Sequence, residues 1–162
     1  MDKIADLGDK AKTAVDMAKG LDIKRIAMIG CGSMGGGMAQ LFAEKGIFVG
    51  LQDPNEGMMD SVLSRAKRSG IPENMMKKYS DYDSLTKELG KDGGSKVFVW
   101  SLPHGGVGDK VLEGLMPFLE KGDIIVDCGN EHWENTERRQ GKCVTKGIRY
   151  VGCGVSGGYQ AA

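Results

Sequence analysis

The sequence lacks the features that characterise membrane-spanning and nucleic-acid-binding proteins. None of its apolar runs approaches the length of about 20 residues that crosses a bilayer as a helix. Acidic and basic residues balance at 22 each, so no excess of one charge favours a polyanionic or polycationic partner. We therefore expect a protein that binds neither membranes nor nucleic acids.

The amino terminus also lacks the signals of export. Residues 1–22 contain no apolar core of the kind a secretory signal needs, and no arginine of the kind a mitochondrial presequence carries. Their apolar residues recur at helical spacing instead, which predicts an amphipathic helix that packs on the sheet or on a partner subunit. We expect a helical extension over residues 1–22 of a cytosolic protein.

Histidine and cysteine, the usual ligands of zinc, are few and poorly spaced. The two histidines are His104 and His132, and the cysteines stand at positions 31, 128, 143 and 153 without a Cys-x-x-Cys pair. Cys128 and His132 match no common zinc-ligand spacing. The sequence therefore predicts reduced cysteines and no metal site.

Glycine, by contrast, is abundant, with 26 residues, and one cluster of it is informative. The apolar run of residues 25–29 leads into Gly30-Cys-Gly-Ser-Met-Gly35, and a helical pattern follows at once. In such a turn the first glycine permits the tight bend, the second lets the backbone approach a pyrophosphate, and the third lets the helix pack on the strand. The free amides of the first helical turn then face the anion.

A second apolar run ends in Asp53, about 20 residues beyond the glycine cluster, as the dinucleotide-binding pattern requires. An acidic residue at that place accepts hydrogen bonds from ribose hydroxyls. Together the two elements predict a dinucleotide-binding site.

The rest of the chain alternates between apolar runs and helical patterns. We expect strands at residues 96–101, 124–127 and 148–152, helices at 56–68, 83–89, 107–119 and 135–140, and either a strand or a helical turn at 75–78. Strands separated by helices indicate right-handed crossovers. The predicted fold is therefore α/β: a doubly wound, mostly parallel Rossmann sheet in three αβα layers, formed by residues 23–162.

Ligands of such sheets bind beyond the carboxyl ends of the strands. Here the residues that follow those ends are Gly30–Gly32, Asp53, Ser101–His104, Gly129–Asn130 and Ser156–Gly158. For other residues we expect structural roles: the pair Met58-Met59 fills the core, and the cations of residues 136–142 form a solvated helix face.

Four motifs together resemble one family. Gly30-Cys-Gly-Ser-Met-Gly35, Asp127-Cys-Gly-Asn130, Thr136-Glu-Arg-Arg139 and Val151-Gly-Cys-Gly-Val-Ser-Gly-Gly158 are similar to motifs of the N-terminal domain of 6-phosphogluconate dehydrogenases, in the β-hydroxyacid dehydrogenase superfamily. The resemblance extends from about Lys24 to the last residue. Gly-Asn followed by Thr-x-Arg-Arg favours the phosphogluconate branch over the hydroxyisobutyrate branch.

The resemblance implies a nicotinamide dinucleotide cofactor and a sugar-acid phosphate substrate. The residues that it implies for the cofactor are Gly30, Gly32, Ser33, Met34, Gly35, Asp53, Leu102, Pro103, His104 and Asn130. Those implied on the substrate side are Asn130, Ser156, Gly157 and Gly158. It assigns no residue of this chain a certain catalytic role; His104 is a candidate for ligand contact, and His132 either borders the substrate or begins a surface helix.

The chain departs from the family pattern where the second strand ends. NADP-dependent members have Asn-Arg-Thr there, with the arginine on the 2′-phosphate, whereas this chain has Asp53-Pro54-Asn55. We therefore expect NAD to be the preferred cofactor, with NADP as the alternative.

The chain also ends at Ala162, shortly after the Ser-Gly-Gly motif. In the family a helical domain follows, which supplies the catalytic lysine and acid, most of the phosphate ligands and the dimer interface. We therefore expect that these 162 residues alone do not turn over 6-phosphogluconate, while homo-oligomerisation stays open.

Three functions are compatible with these observations. The first is the nucleotide-binding part of a dehydrogenase that passes a hydride from 6-phosphogluconate to nicotinamide and then decarboxylates the β-keto acid to ribulose 5-phosphate. The second is a non-catalytic dinucleotide-binding module or subunit. The third is another β-hydroxyacid dehydrogenase, because this fold serves many substrates.

Overall fold

The computed structural model describes residues 23–156, which form six strands and five α-helices. The strands are β1 (Arg25–Ile29), β2 (Phe48–Gln52), β3 (Met76–Lys78), β4 (Val97–Trp100), β5 (Ile124–Asp127) and β6 (Arg149–Gly152). The helices are α1 (Ser33–Glu44), α2 (Glu56–Arg68), α3 (Tyr82–Leu89), α4 (Gly106–Leu115) and α5 (Trp133–Val144). The expected helix of residues 1–22 lies outside the described residues, as do Gly157 and Gly158.

All six strands are parallel and lie in the order β3-β2-β1-β4-β5-β6. The order reverses between β1 and β4, where the chain crosses from one half of the sheet to the other. The predicted doubly wound Rossmann sheet is therefore confirmed, and β1 and β4 flank its switch point, where such folds bind ligands.

Helices cover both faces of the sheet, because the side chains on both faces of its central strands are apolar. Met28 of β1 and Val99 of β4 face the helices α1 and α2, which contribute Ala39 and Val62 to that core. The alternate residues of the same strands face the other side. There they pack on apolar residues of α3, α4 and α5, namely Leu85, Leu112 and Cys143. The three αβα layers are thus confirmed.

Most element boundaries agree with the sequence, and the exceptions have local causes. Helix α2 and strand β5 span the predicted residues. The ambiguous segment contains both alternatives, a 3₁₀ turn over Glu73–Met75 followed by β3. The helix predicted over 107–119 ends at Leu115 and tightens into a 3₁₀ turn containing Pro117, which has no N–H to donate. No helix within residues 23–156 is long and apolar enough to cross a bilayer.

Candidate functional site

The glycine loop after β1 has two positions that only glycine can occupy. Gly30 has a φ of +90°, and a Cβ there would lie 2.2 Å from the carbonyl oxygen of Ser101. A Cβ on Gly35 would lie 1.9 Å from the carbonyl oxygen of Gly30. These two glycines therefore let the turn, the start of α1 and the end of β4 approach one another.

Gly32 lies on the open side of the same loop. A Cβ built on it meets nothing within 4 Å, and its φ of −64° suits any residue. It precedes α1, whose first turn has neither a side-chain cap nor an acidic residue. The first amides of a helix have no intrahelical acceptor, so those of Ser33, Met34 and Gly35 are available to a ligand. The loop fits an anionic group such as a pyrophosphate.

Asp53, at the end of β2, holds the glycine loop through its carboxylate. One oxygen accepts the Cys31 amide at 2.8 Å, and the other accepts the Asn55 amide at 2.8 Å. An ionised carboxylate has about four acceptor sites, so about two remain for further donors. Asp53 can therefore hold the glycine loop and still accept hydrogen bonds from further donors.

A cleft of about 780 Å³ opens at the switch point of the sheet. Its walls include Gly30, Gly32, Asp53, Leu102 and Pro103, which the sequence assigned to the cofactor. Further lining residues, which the sequence did not assign, include Met58, Tyr82, Val107, Lys110 and Val111. The cleft is mainly apolar, with the glycine loop and one carboxylate at its edge. Small-molecule sites commonly combine an apolar lining with a few polar groups in this way.

Asn130 lies beyond the end of β5, outside the lining of this cleft. It has a φ of +55°, and its side-chain amide both donates to the Val155 carbonyl at 2.8 Å and accepts from the Val155 amide at 2.8 Å. This pair joins the loop after β5 to the loop after β6, which carries the exposed Ser156. Asn130 also borders a second cavity, of about 300 Å³.

A buried arginine connects the loops on this side of the sheet. Arg139 of α5 is 1% exposed, and its guanidinium donates to the Gly105 carbonyl at 2.6 Å and to Glu131 at 3.0 Å. It also reaches Asp109 at 3.2 Å and Asp127 at 3.5 Å. Arg139 thus fixes the loop after β4 against the loop after β5.

Two of the carboxylates around Arg139, those of Glu131 and Asp109, are held in the charged form. Burial opposes ionisation of Glu131, but hydrogen bonds from the Asn135 side chain and the backbone amides of His132 and Gly105 outweigh it. These bonds, with that from Arg139, lower the pKa of Glu131 to about 2. The second carboxylate is Asp109, whose pKa is lowered to about 2, chiefly by its hydrogen bond from Arg138.

Comparison with known proteins agrees with this geometry. Residues 25–162 match the family model described as the NAD binding domain of 6-phosphogluconate dehydrogenase. The chain belongs to this family. It is therefore an NAD(P)-binding domain of the 6-phosphogluconate dehydrogenase type.

Individual relatives support the same assignment. A decarboxylating 6-phosphogluconate dehydrogenase of Emericella nidulans is 37% identical over 80% of this chain and 26% of its own length. An enzyme of Bacillus subtilis that is named NAD⁺-dependent is 34% identical over 82% of this chain and 27% of its own length. The chain spans about a quarter of the length of these relatives.

Among solved structures, 6-phosphogluconate dehydrogenase of Plasmodium falciparum, studied with NADP⁺ and with 6-phosphogluconate, superposes with a TM-score of 0.74 and 30% identity. The match covers 85% of this chain and 28% of that one. Relatives named for either nicotinamide cofactor therefore share this domain.

The structure brings together only part of the predicted site. Gly30, Gly32 and Asp53 border the cleft, and the first turn of α1 lies beside them. His104 is exposed and is not among the residues that line the cleft. His132 is exposed at the start of α5, next to the ring of Trp133. Among the described residues no group of three or more potential metal ligands occurs.

Two expectations about individual residues are wrong. Met58 does not fill the core as its neighbour Met59 does, since it is 44% exposed and lines the cleft. Arg139 is not part of a solvated helix face, because it is buried among three carboxylates. The Thr-x-Arg-Arg motif pointed to the family but not to the contact of Arg139 with the Gly105 carbonyl, which joins residues 34 positions apart.

Proposed function

We propose that this chain is the dinucleotide-binding part of an enzyme that oxidatively decarboxylates 6-phosphogluconate to ribulose 5-phosphate. The observation that carries the proposal is the glycine loop at the switch point of the sheet, with its uncapped helix start and open face at Gly32. The names of relatives at 34–37% identity support the substrate. When bound, the nicotinamide supplies a hydride acceptor.

In this proposal the amides of Ser33, Met34 and Gly35 hold the pyrophosphate, and Gly30 and Gly32 leave room for it. Asp53 accepts hydrogen bonds from the hydroxyl groups of the adenosine ribose. Leu102, Pro103 and His104 lie along the cofactor. Their loop precedes Gly105, whose carbonyl is held by Arg139, so the loop has a fixed support.

On the substrate side, Asn130 contacts the nicotinamide ribose and the substrate, and Ser156, Gly157 and Gly158 hold the sugar acid. The hydrogen bonds between Asn130 and Val155 support this assignment, because they bring the Asn130 loop next to Ser156. Neutral amide and hydroxyl groups suit hydroxyl and carboxylate ligands. A cytosolic location and a homo-oligomer stay predictions.

The substrate assignment can be tested on the side-chain amide of Asn130. Millimolar 6-phosphogluconate, added to the chain with NADH, is expected to move the NMR signals of this amide, because the ligand competes for its hydrogen bonds. 3-Hydroxyisobutyrate, which lacks the phosphate and most hydroxyls, serves as the comparison and is expected to leave them in place. Equal shifts with both acids would favour another β-hydroxyacid dehydrogenase, and no shift with either would remove Asn130 from the substrate site.

We further propose that NAD is preferred to NADP, because the acceptor at the end of β2 is a carboxylate. Two unit charges 4 Å apart at an effective dielectric of 20 repel by about 4 kcal/mol. Exposure to solvent and salt weakens this repulsion, which leaves a preference of about 10- to 100-fold. Among the described residues that line the cleft, Lys110 alone carries a positive charge to offset it.

Calorimetric titration with both cofactors tests the preference, and NADP binding as tight as NAD binding would contradict it. Pro54→Arg places a cation next to Asp53, where NADP-dependent relatives carry arginine. It is expected to improve NADP binding about tenfold, equal to about 1.4 kcal/mol, because a hydrogen bond to a charged group contributes about 1.5–3 kcal/mol. Pro54→Ala is the matched control, since it removes the proline without adding charge. It is expected to leave the ratio of the two affinities unchanged.

A further inference from the structure

Two cysteines lie side by side at the carboxyl ends of β5 and β6. The strands pair in register up to Asp127 and Gly152, and the Cys153 amide donates to the Asp127 carbonyl at 2.8 Å. Cys128 and Cys153 are the next residues of the two strands. Neighbouring strands lie about 4.8 Å apart, which is within the Cα separation of about 4.4–6.8 Å that a disulfide requires. Both thiols are free.

The two thiols differ in their access to solvent. Cys153 is exposed and borders the cavity of about 300 Å³ that Asn130 also lines. Cys128 is half-buried, and burial followed by the neighbouring Cys153 raises its pKa to about 12. The remaining cysteines, Cys31 and Cys143, are buried. An oxidant in solution therefore reacts first with Cys153. Cys128 lies next to it and can react in a second step.

We propose that Cys153 and Cys128 form a reversible redox pair that reacts with hydrogen peroxide. The Cys153 thiolate attacks one peroxide oxygen, the O–O bond breaks, and the hydroxide that leaves takes up the thiol proton as water. The Cys128 sulfur then attacks the sulfur of the resulting sulfenic acid. The S–S bond forms, the S–O bond breaks, and the hydroxyl leaves with the Cys128 proton as a second water. Two thiols lose two electrons, and one peroxide becomes two waters.

The disulfide would join the loop after β6 covalently to the loop after β5. Asn130 and Val155 each lie two residues beyond one of the cysteines and already join the two loops by hydrogen bonds. A covalent bond beside this pair closes a ring that contains all of α5. Closing such a ring removes conformational entropy from the unfolded chain, so the oxidised protein should be more stable. This redox pair does not depend on which substrate the proposed function assigns.

The experiment uses the fully reduced chain and one equivalent of hydrogen peroxide, followed by alkylation, trypsin cleavage and mass spectrometry. The lysines and arginines of α5 allow trypsin to separate the two cysteines. We expect a peptide linked through Cys128 and Cys153, alkylated Cys31 and Cys143, and complete reversal by dithiothreitol. The melting temperature of the oxidised chain is expected to rise by about 5 °C.

Single variants test the order of the two steps. Cys128→Ser is expected to stop at a Cys153 sulfenic acid, which dimedone captures, and to show no rise in melting temperature. Cys153→Ser is expected to leave Cys128 unreacted at the same peroxide dose, and Cys128→Ala repeats the first test with a second side chain. Oxidation of Cys128 in the Cys153→Ser variant would overturn the proposal. So would disulfides between chains, or sulfinic acid at Cys153, in place of the internal link.

Discussion

Replacing Gly32 with valine is expected to weaken dinucleotide binding by at least about 100-fold, equal to about 2.7 kcal/mol, while the domain stays folded. The space beside Gly32 is open, with no atom within 4 Å of a built Cβ. In our proposal this is the space that the pyrophosphate fills. Calorimetric titration of NAD measures the loss, and circular dichroism with a thermal melt measures the fold.

The folded state is expected to tolerate this change because the backbone of Gly32 is not in a conformation that requires glycine. Its φ of −64° and ψ of −167° are extended, unlike the φ of +90° at Gly30. Gly141→Val on α5 is the matched control, since it also adds valine to a site with nothing within 4 Å. We expect this control to bind NAD as the unmodified chain does. Unchanged NAD affinity in Gly32→Val would mean that the phosphates lie elsewhere.

Replacing Arg139 with alanine is expected to lower the free energy of unfolding by about 3–5 kcal/mol. The side chain is 1% exposed, and its loss leaves Asp127 and Glu131 without their buried counterion. The carbonyl of Gly105 also loses its partner at 2.6 Å. Urea unfolding followed by circular dichroism measures the change, which corresponds to about 10 °C or more in melting temperature.

The adjacent residue provides the control. Arg138 also pairs with Asp109, but its side chain is 46% exposed, so Arg138→Ala is expected to cost only about 0–1 kcal/mol. Arg139→Lys is expected to resemble the alanine variant, since one ammonium cannot replace a planar guanidinium that binds several acceptors. If Arg138→Ala and Arg139→Ala lowered the free energy of unfolding equally, the burial of Arg139 would contribute nothing to stability.

The parts of the fold that could be predicted from the sequence are those that local chemistry determines. The glycine loop, helix α2 and strand β5 follow from turn residues, caps and apolar runs a few positions apart. The alternation of these elements was sufficient to predict a parallel, doubly wound sheet. The carboxyl ends of the strands then indicated where Asp53 and the glycine loop would meet.

Contacts between distant residues could not be predicted in the same way. Arg139 and Gly105 are 34 positions apart. Arg139 lies four positions before the buried Cys143, on the same face of α5, but this spacing does not identify the carbonyl and carboxylates that its guanidinium meets. The exposure of Met58 is a different case, since the spacing of Met59, Val62 and Ala66 marks the buried face of α2 and could have separated the two methionines. The pairing of Cys128 with Cys153 depends on the register of β5 and β6, which becomes evident only in the assembled sheet.

The two hydrogen bonds to Asp53 restrict how cofactor choice can evolve in this chain. The Cys31 amide and the Asn55 amide occupy one carboxylate oxygen each. A change to asparagine would keep one acceptor but turn a donor toward the other amide, and a change to alanine would lose both. Alanine at position 53 would therefore loosen the glycine loop, whereas asparagine, which NADP-dependent relatives carry there, can keep the acceptor for the Cys31 amide and lose only the one for Asn55. Mutational routes toward NADP that begin at Pro54, which has no N–H to lose, leave the loop intact.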